Sequence, residues 1–128
     1  DDDVQPIQGS CFYAGFGREN QLCNHERFAV RIINVSNSSS GIGTPVRLSS
    51  SDSSFFWFYS PTNFEAVVKV LDACALNDRF WVFAAALTNQ AYTIQVGDAQ
   101  TGVIKSYSNA LGNRAPAVAD TNAFDCTP

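Results

Sequence analysis

Four cysteines are the residues of this chain whose chemistry follows most directly from type and spacing. They stand at positions 11, 23, 74 and 126 of the sequence. A zinc site usually needs closely spaced cysteines together with histidines, and this spacing does not provide them. An even number of cysteines in a small chain is typical of disulfides formed in an oxidising compartment. We predict a Cys11–Cys23 bridge, because it closes a local loop. The other pair, Cys74–Cys126, would tie the C-terminus to the body of the domain.

The other residues offer little catalytic chemistry. The single histidine, His25, would need a free thiol to form a Cys–His nucleophile pair, and two disulfides leave none, so we interpret it as a solvated loop residue. No G-x-S-x-G, H-E-x-x-H or phosphate-loop motif occurs. Four carboxylates lie near predicted turns: Asp72, Asp78, Asp120 and Asp125. We interpret them as turn residues, with calcium binding as the alternative. The sequence predicts a protein that is not an enzyme and needs no cofactor or metal.

Three residues raise the question of covalent modification. Lys69 lies in a strand-like segment, where an isopeptide bond is the alternative to a lysine that holds its charge in water. Asn34 and Asn37 fit the N-x-[ST] pattern beside a Ser-rich loop at 36–43, which would suit a sugar in a glycosylating host. A surface glycan is therefore a candidate partner.

Size and charge exclude several functional classes. The chain has 128 residues, enough for one domain with a packed core, and 45% of them are hydrophobic. Its net charge is −4 with scattered basic residues, which argues against nucleic acid. The longest apolar run is eight residues, whereas a membrane span needs roughly 18. Because the chain starts at Asp1 and lacks methionine, we expect a mature extracellular or cell-surface protein whose signal peptide has been removed.

Short strands separated by turn residues are expected to position these side chains. Strand-like segments occur at 28–35, 45–49, 54–59, 65–71, 80–87, 91–97 and 103–108. They are rich in β-branched and aromatic residues, and no long segment shows a helical repeat. The pattern predicts one all-β domain at 11–128, an antiparallel sandwich of about seven to nine strands. Residues 1–10 form an acidic N-terminal arm outside it.

A series of motifs resembles a module found in secreted bacterial proteins, often at their C-terminal ends. The matching pieces are C-x11-C, RFAV (27–30), PVRLSS (45–50), FFWFYSPTNFE (55–65), VVKVLD (67–72), ALNDRFWVFAAALTN (75–89), YTIQV-x-D-x-x-TG (92–102) and AVADTNAF (117–124). The resemblance covers about nine-tenths of the chain. It implies an immunoglobulin-like β-sandwich and brings no catalytic residue or ligand. Cys74 and Cys126 depart from the module's pattern, which supports pairing them with each other.

Five consecutive aromatic residues at 55–59 pose the main functional question. In an extended strand Phe55, Trp57 and Tyr59 point to one face, while Phe56 and Phe58 point to the other. A half-buried strand needs apolar residues on one face only. The segment therefore predicts that something covers its second face.

The segment 80–87 repeats this pattern, with Phe80 on one face and both Trp81 and Phe83 on the opposite one. Two such neighbouring strands would expose about 300–600 Å² of aromatic surface. Three candidates could cover this surface. They are the chain's own loops at 36–52 or 11–23, a partner subunit, and a carbohydrate stacked on Trp57 or Trp81.

These features lead to the hypothesis of a structural subunit that assembles head to tail with copies of itself. The product would be an extracellular filament, a pilus-like fibre or a surface layer. The arm would donate a strand to the next subunit's sheet edge, with Val4 and Ile7 as anchors. The predicted contact residues in the domain are Phe55, Phe56, Trp57, Phe58, Tyr59, Phe80, Trp81 and Phe83.

Two binding functions are the alternatives. A secreted carbohydrate-binding or adhesion module would use the same exposed aromatic residues. A protease inhibitor would present the 11–23 loop, with Arg18 as its anchor.

Overall fold

A computed structural model describes residues 11, 13–47 and 50–127 of the chain. Nine strands occur within these ranges. Their bounds are β1 Leu22–Asn24, β2 Phe28–Ile33, β3 Thr44–Val46, β4 Ser53–Trp57, β5 Phe64–Ala73, β6 Arg79–Ala86, β7 Tyr92–Asp98, β8 Ile104–Asn109 and β9 Val118–Asp125. One short helix, α1 at Cys74–Asn77, and two 3-10 turns at Ala14–Phe16 and Arg18–Asn20 accompany them. None of the described helices is long and apolar enough to cross a membrane.

The strands form two sheets that pack face to face. The four-stranded sheet has the order β1-β2-β7-β8, and the five-stranded sheet has the order β3-β4-β5-β6-β9. Every pairing of neighbouring strands is antiparallel. The chain changes sheet after β2, after β6 and after β8. The predicted immunoglobulin-like antiparallel sandwich is confirmed.

Alternating side chains from both sheets fill the core. Phe28 of β2 is fully buried and meets two rings of the opposite sheet, Phe80 at 4.8 Å and Phe124 at 4.9 Å between centroids. In the centre of the five-stranded sheet, Val68 and Val82 lie on the same inner face and are both fully buried. Period-two alternation produces this result because successive side chains of a strand point to opposite faces.

Both predicted disulfides are present. Cys11–Cys23 closes the first loop with a Cα–Cα distance of 5.7 Å. Cys74–Cys126 joins the start of α1 to the end of β9 with a Cα–Cα distance of 6.0 Å. The second bridge holds an edge strand against the body of the sandwich, as the sequence suggested.

A buried ion pair fastens one end of the sandwich. The Arg27 guanidinium donates to both carboxylate oxygens of Asp98, at 2.9 and 2.8 Å, and the two residues are 6% and 1% exposed. It also donates to the carbonyl oxygens of Asp125 and Cys126, each at 2.9 Å. Since Asp98 ends β7 and Asp125 ends β9, this side chain links the two sheets.

Candidate interaction surface

The alternation predicted for the two aromatic segments is confirmed. Phe56 and Phe58 are 0% and 3% exposed, and Phe80 is 8% exposed, so all three belong to the chain's own core. Their inclusion among the predicted contact residues was therefore wrong, because alternation along β6, and along β4 and the residue that follows it, turns them toward the opposite sheet. Trp81 and Phe83 lie on the other side of β6 and remain partly exposed.

The outward side chains of the five-stranded sheet form an apolar surface, which we call the aromatic face. Its main residues are Phe55, Trp57, Val67, Leu71, Trp81 and Phe83, all partly exposed. Strand register aligns Val46, Phe55, Val67 and Ala85 in one row across four strands. Leu71 and Trp81 face each other in a second row. The face is therefore continuous across strands rather than limited to one.

Ring contacts fix the orientation of several of these side chains. Trp81 and Phe83 stack with centroids 6.0 Å apart and an interplanar angle of 5°. The Trp81 indole N–H donates to the Asn77 side-chain oxygen at 2.9 Å, which anchors the ring to α1. Phe55 contacts Phe64 at 6.3 Å between centroids. These rings present a pre-arranged surface, which lowers the entropic cost of binding.

Lys69 is a charged residue within the aromatic face, and Arg79 lies at its margin on the same side of β6. Lys69 is exposed and lies between Ser53 and Phe83 in the strand register. No carboxylate of the described residues forms an ion pair with it. Its position agrees with a lysine that extends into water, and it adds a cationic point to a largely apolar surface.

Val67 and Leu71 of the aromatic face were missed when sites were predicted from sequence. The alternation within FEAVVKVL at 64–71 could have identified them, since Ala66, Val68 and Val70 take the inner face. The omission arose because this segment lacks aromatic clusters, whereas its β-branched residues contribute equally to an apolar surface.

The disulfide-closed loop covers the opposite sheet, not the aromatic face. Tyr13 lies against Gly97 of β7, where an added Cβ would come within 2.7 Å of its ring. Phe16 is 2% exposed, and its ring lies 4.3 Å from the Arg31 guanidinium of β2. Arg18 is exposed on this loop. The loop is therefore packed on a sheet, whereas an inhibitory loop would project from the domain.

The second proposed cover, the segment 36–52, also takes a different role. Its residues Thr44–Val46 form β3 and pair with β4, so they extend the five-stranded sheet sideways. The Ser-rich part lies at the margin, where a cleft of about 330 Å³ is lined by Asn37, Ser38, Ser39, Ser40, Thr44, Trp57, Phe58 and Tyr59. Hydroxyl and amide groups thus face two partly exposed aromatic rings in this cleft.

The pKa values of Tyr59, which lines this cleft, and of Glu65 are both raised. The Tyr59 hydroxyl donates to the Ser36 carbonyl at 2.6 Å, although the ring is exposed. Burial raises the pKa of Glu65, and a hydrogen bond from the Phe58 backbone N–H opposes this shift. One Glu65 oxygen has no hydrogen-bond partner. Burial, followed by the charge of Glu65, raises the pKa of Tyr59.

Two of the candidate carboxylates, Asp72 and Asp120, have structural partners. The Asp72 carboxylate accepts a bond from the Cys74 backbone N–H at 3.0 Å, and Asp120 accepts from the Tyr107 hydroxyl at 2.7 Å. Burial, then this bond to Asp120, raises the pKa of Tyr107. One cluster of potential metal ligands occurs in the described ranges, Asp72 with Cys74 and Cys126. Both sulfurs are in a disulfide, so they offer no thiolate.

His25 and the two sequon asparagines take well-defined positions. His25 was expected to be solvated, but it is partly buried, and its Nε2 lies 2.6 Å from the Val70 carbonyl oxygen. Its ring meets Phe80 edge-on, so it supports the core. Asn34 and Asn37 are exposed, with φ of 57° at each. The arm at 1–10, including its predicted anchors, lies outside the described residues.

No protein-family model, curated protein or solved structure matches this chain. The resemblance to a module of secreted bacterial proteins therefore remains an expectation from the sequence.

Proposed function

We propose that this chain is a non-catalytic structural subunit that assembles with copies of itself, outside the cell, into a filament or surface layer. The observation that carries the proposal is the aromatic face. It spans several strands, and its rings are held by contacts with one another. Its charged residues among the described strands are few: Lys69 lies within it, and Arg79, paired with Asp125, lies at its margin. Contiguous apolar surfaces of this kind usually mark contacts between proteins.

The area of the aromatic face determines whether it could hold two subunits together by itself. Burying about 300–600 Å² of it contributes roughly 7–15 kcal/mol to association. Bringing two subunits together costs about 4–15 kcal/mol in lost translational and rotational freedom. The free energy gained by burying the aromatic face alone is therefore close to the free-energy cost of association. A stable polymer needs a second contact between the same subunits. Two different contact surfaces on one subunit are what head-to-tail growth requires.

Electron microscopy and sedimentation of concentrated protein test this proposal. The native chain should form fibres or sheets, whereas a Trp81→Ser/Phe83→Ser variant should remain monomeric with an unchanged circular dichroism spectrum. Leu111→Ser is the matched control, because Leu111 is 61% exposed and lies in the turn after β8. It should assemble like the native chain. Monomers or closed dimers of the native chain at high concentration would contradict the proposal.

A carbohydrate-binding function is the second candidate, and the cleft beside Trp57 favours it. Sugars commonly stack on aromatic rings while hydroxyl and amide groups bind their edges. The cleft supplies both kinds of group, from Trp57, Tyr59 and the 37–40 segment. Titration with a panel of soluble oligosaccharides distinguishes the two functions. Trp57→Ala would then abolish sugar binding by a chain that is monomeric throughout.

A further inference from the structure

Each sheet of the sandwich has two edge strands, and three of the four are unsuited to pairing with another chain. β1 and β3 have three residues each, and β3 contains Pro45. β9 is longer, but its register with β6 shifts between Phe80 and Val82, so that three residues of β9 bulge opposite Trp81. Short length, proline and bulges are the features by which proteins protect sheet edges against further pairing.

The fourth edge, β8, is neither short nor interrupted by proline or a bulge, and Lys105 is the one charged side chain, a further kind of edge protection, that it carries. Its six residues pair with β7 in uninterrupted register from Tyr92↔Asn109 to Gly97↔Ile104. The hairpin begins with a hydrogen bond from the Asp98 N–H to the Val103 carbonyl at 2.8 Å. Because antiparallel ladders alternate, Lys105, Tyr107 and Asn109 exchange bonds with β7. The backbone groups of Ile104, Ser106 and Ser108 consequently point away from the sheet.

A cavity adjoins this edge where β8 and β9 separate. It measures about 260 Å³, and its lining includes two cations, Arg79 and Lys105, and two carboxylates, Asp98 and Asp125. Asp98 is already paired with Arg27. Arg79 forms an ion pair with Asp125 at 3.4 Å. Lys105 has no carboxylate within ion-pair distance among the described residues. A segment added to β8 would therefore meet a cation at the cavity, and an acidic segment would complement it.

We infer that β8 accepts residues 1–10 of a second copy of this chain as an additional antiparallel or parallel strand. The inference rests on the proposed function and identifies the second contact that assembly needs. The arm begins with three aspartates, which complement Lys105. Ten extended residues reach roughly 33 Å, and a six-residue strand such as β8 spans about 20 Å. Pro6 is compatible with this position, because the added strand becomes the new sheet edge.

A second copy fits better than the chain's own arm. Cys11 is joined to Cys23 in β1, at the opposite edge of the same sheet. Reaching β8 from there crosses three strand spacings, or about 14 Å, which uses about four extended residues. About six residues then remain, which only just matches the six residues of β8, and Pro6 is among them. An arm from a neighbouring subunit keeps its full length for pairing.

Ser106→Pro tests the inference with little direct effect on the fold. Proline removes the outward N–H of Ser106, whereas the β7 ladder does not use that group. Ser106→Ala is the matched control, because it keeps the N–H and removes only the hydroxyl. In assembled full-length protein, backbone hydrogen exchange of 104–109 should slow about tenfold or more relative to dilute protein. Ser106→Ala should assemble normally, and Ser106→Pro should lose both assembly and protection.

The outcomes separate this inference from the proposed function. Normal assembly of Ser106→Pro would overturn the edge assignment while leaving self-assembly intact. Protection of 104–109 that is already complete in dilute monomer would show pairing within one chain, and would also overturn it. If the native chain never assembles, the proposed function fails. Whether β8 accepts the arm can then be tested separately by adding an excess of the synthetic peptide DDDVQPIQGS. Slower exchange at 104–109 with the peptide would support the inference, and unchanged exchange would overturn it.

Discussion

The two outer faces of this sandwich differ in composition and in how far other parts of the chain cover them. The four-stranded sheet turns polar residues outward, including Arg31, Gln95 and Ser106, which hydrogen-bond along the face. The disulfide-closed loop lies over part of it and buries Phe16 there. The five-stranded sheet turns the aromatic face outward, and those side chains remain partly exposed.

This difference runs against the simplest expectation for a solitary domain. Burial of apolar surface drives folding, so a chain with one covering loop would gain most by placing it over its most apolar face. Here the loop instead covers the more polar sheet, held by the Cys11–Cys23 bridge and by Tyr13 against Gly97. The arrangement leaves the aromatic face for contacts with other molecules, which is the basis of the proposed assembly.

Among substitutions that test the difference between the two faces, Phe16→Ala is expected to change the free energy of unfolding most. This change removes a buried ring from beneath the loop and should lower the free energy of unfolding by about 3–5 kcal/mol. Phe83→Ala is the matched substitution on the aromatic face and should cost about 1 kcal/mol or less in the monomer. Denaturant unfolding of dilute protein measures both. Equal losses would mean that the two faces are equally buried in the monomer.

Removing the loop's disulfide should have the next largest effect. Cys11→Ser/Cys23→Ser opens a loop with a sequence separation of 12 residues, and we expect it to lower the free energy of unfolding by about 2–4 kcal/mol. Proteolysis near Arg18 should accelerate, because that segment loses its covalent attachment. Cys74→Ser/Cys126→Ser is the control, since it destabilises the fold without freeing the loop. Equal cleavage near Arg18 in the two variants would contradict the covering role of the first bridge.

A smaller effect is expected from Gly97→Ala, which tests how closely the loop contacts the sheet. The new methyl would lie 2.7 Å from the Tyr13 ring and should cost about 1–3 kcal/mol. Gly15→Ala is the control, because nothing lies within 4 Å of its added Cβ. Tyr13→Ala should relieve the clash, so a double-mutant cycle should give a coupling of about 0.5–3 kcal/mol. Additive effects would mean that Tyr13 does not lie over Gly97 in solution.

Much of the fold could be predicted because it depends on local patterns. Period-two alternation and turn residues located seven strands, and the cysteine positions led to both bridges. β1 and β9 were missed. β1 has three residues, and Val118–Asp125 is half polar with a bulged register, so neither shows a clear apolar alternation. Their pairing partners and the two disulfides hold them in place, and those contacts are distant in sequence.

The candidate site was predictable only in part, for a related reason. Alternation correctly separated Trp57 and Phe83 from the buried Phe56 and Phe80. Which loop covers which sheet depends on strand order, and β2 pairs with β7 across sixty to seventy residues of chain. No local pattern carries that information. The sequence also gave no means to distinguish the buried Arg27 from an exposed arginine.

The smallest expected effect is on the pH dependence of stability. It concerns two buried carboxylates, one in each sheet. Asp98 ends a strand of the four-stranded sheet. Burial raises its pKa, but hydrogen bonds from Arg27, the Gln100 N–H and Thr101 outweigh this, so its pKa is lowered overall. Glu65 lies in the five-stranded sheet, where burial raises its pKa and one oxygen has no partner. The two groups should therefore give the stability of the protein opposite dependences on pH.

The sign follows from proton linkage. A carboxyl whose pKa is lowered by folding stabilises above its unfolded pKa, and this is lost as pH falls through the folded pKa. For Asp98 this loss of stability occurs below about pH 4. Glu65 behaves in the opposite way, because its folded pKa is the higher one. Its contribution is fully present below about pH 4 and is lost as pH rises through the folded pKa.

Glu65→Gln should therefore flatten the decline in unfolding free energy as pH rises from about 4 toward neutrality. The amide keeps an oxygen for the Phe58 N–H and removes the buried charge. Glu26→Gln, at an exposed position, is the control for the loss of one negative charge. Urea unfolding of monomeric protein at several pH values measures the three curves. If Glu65→Gln and Glu26→Gln change the curve equally, the buried site of Glu65 adds nothing to the pH dependence, and this contrast between the two sheets fails.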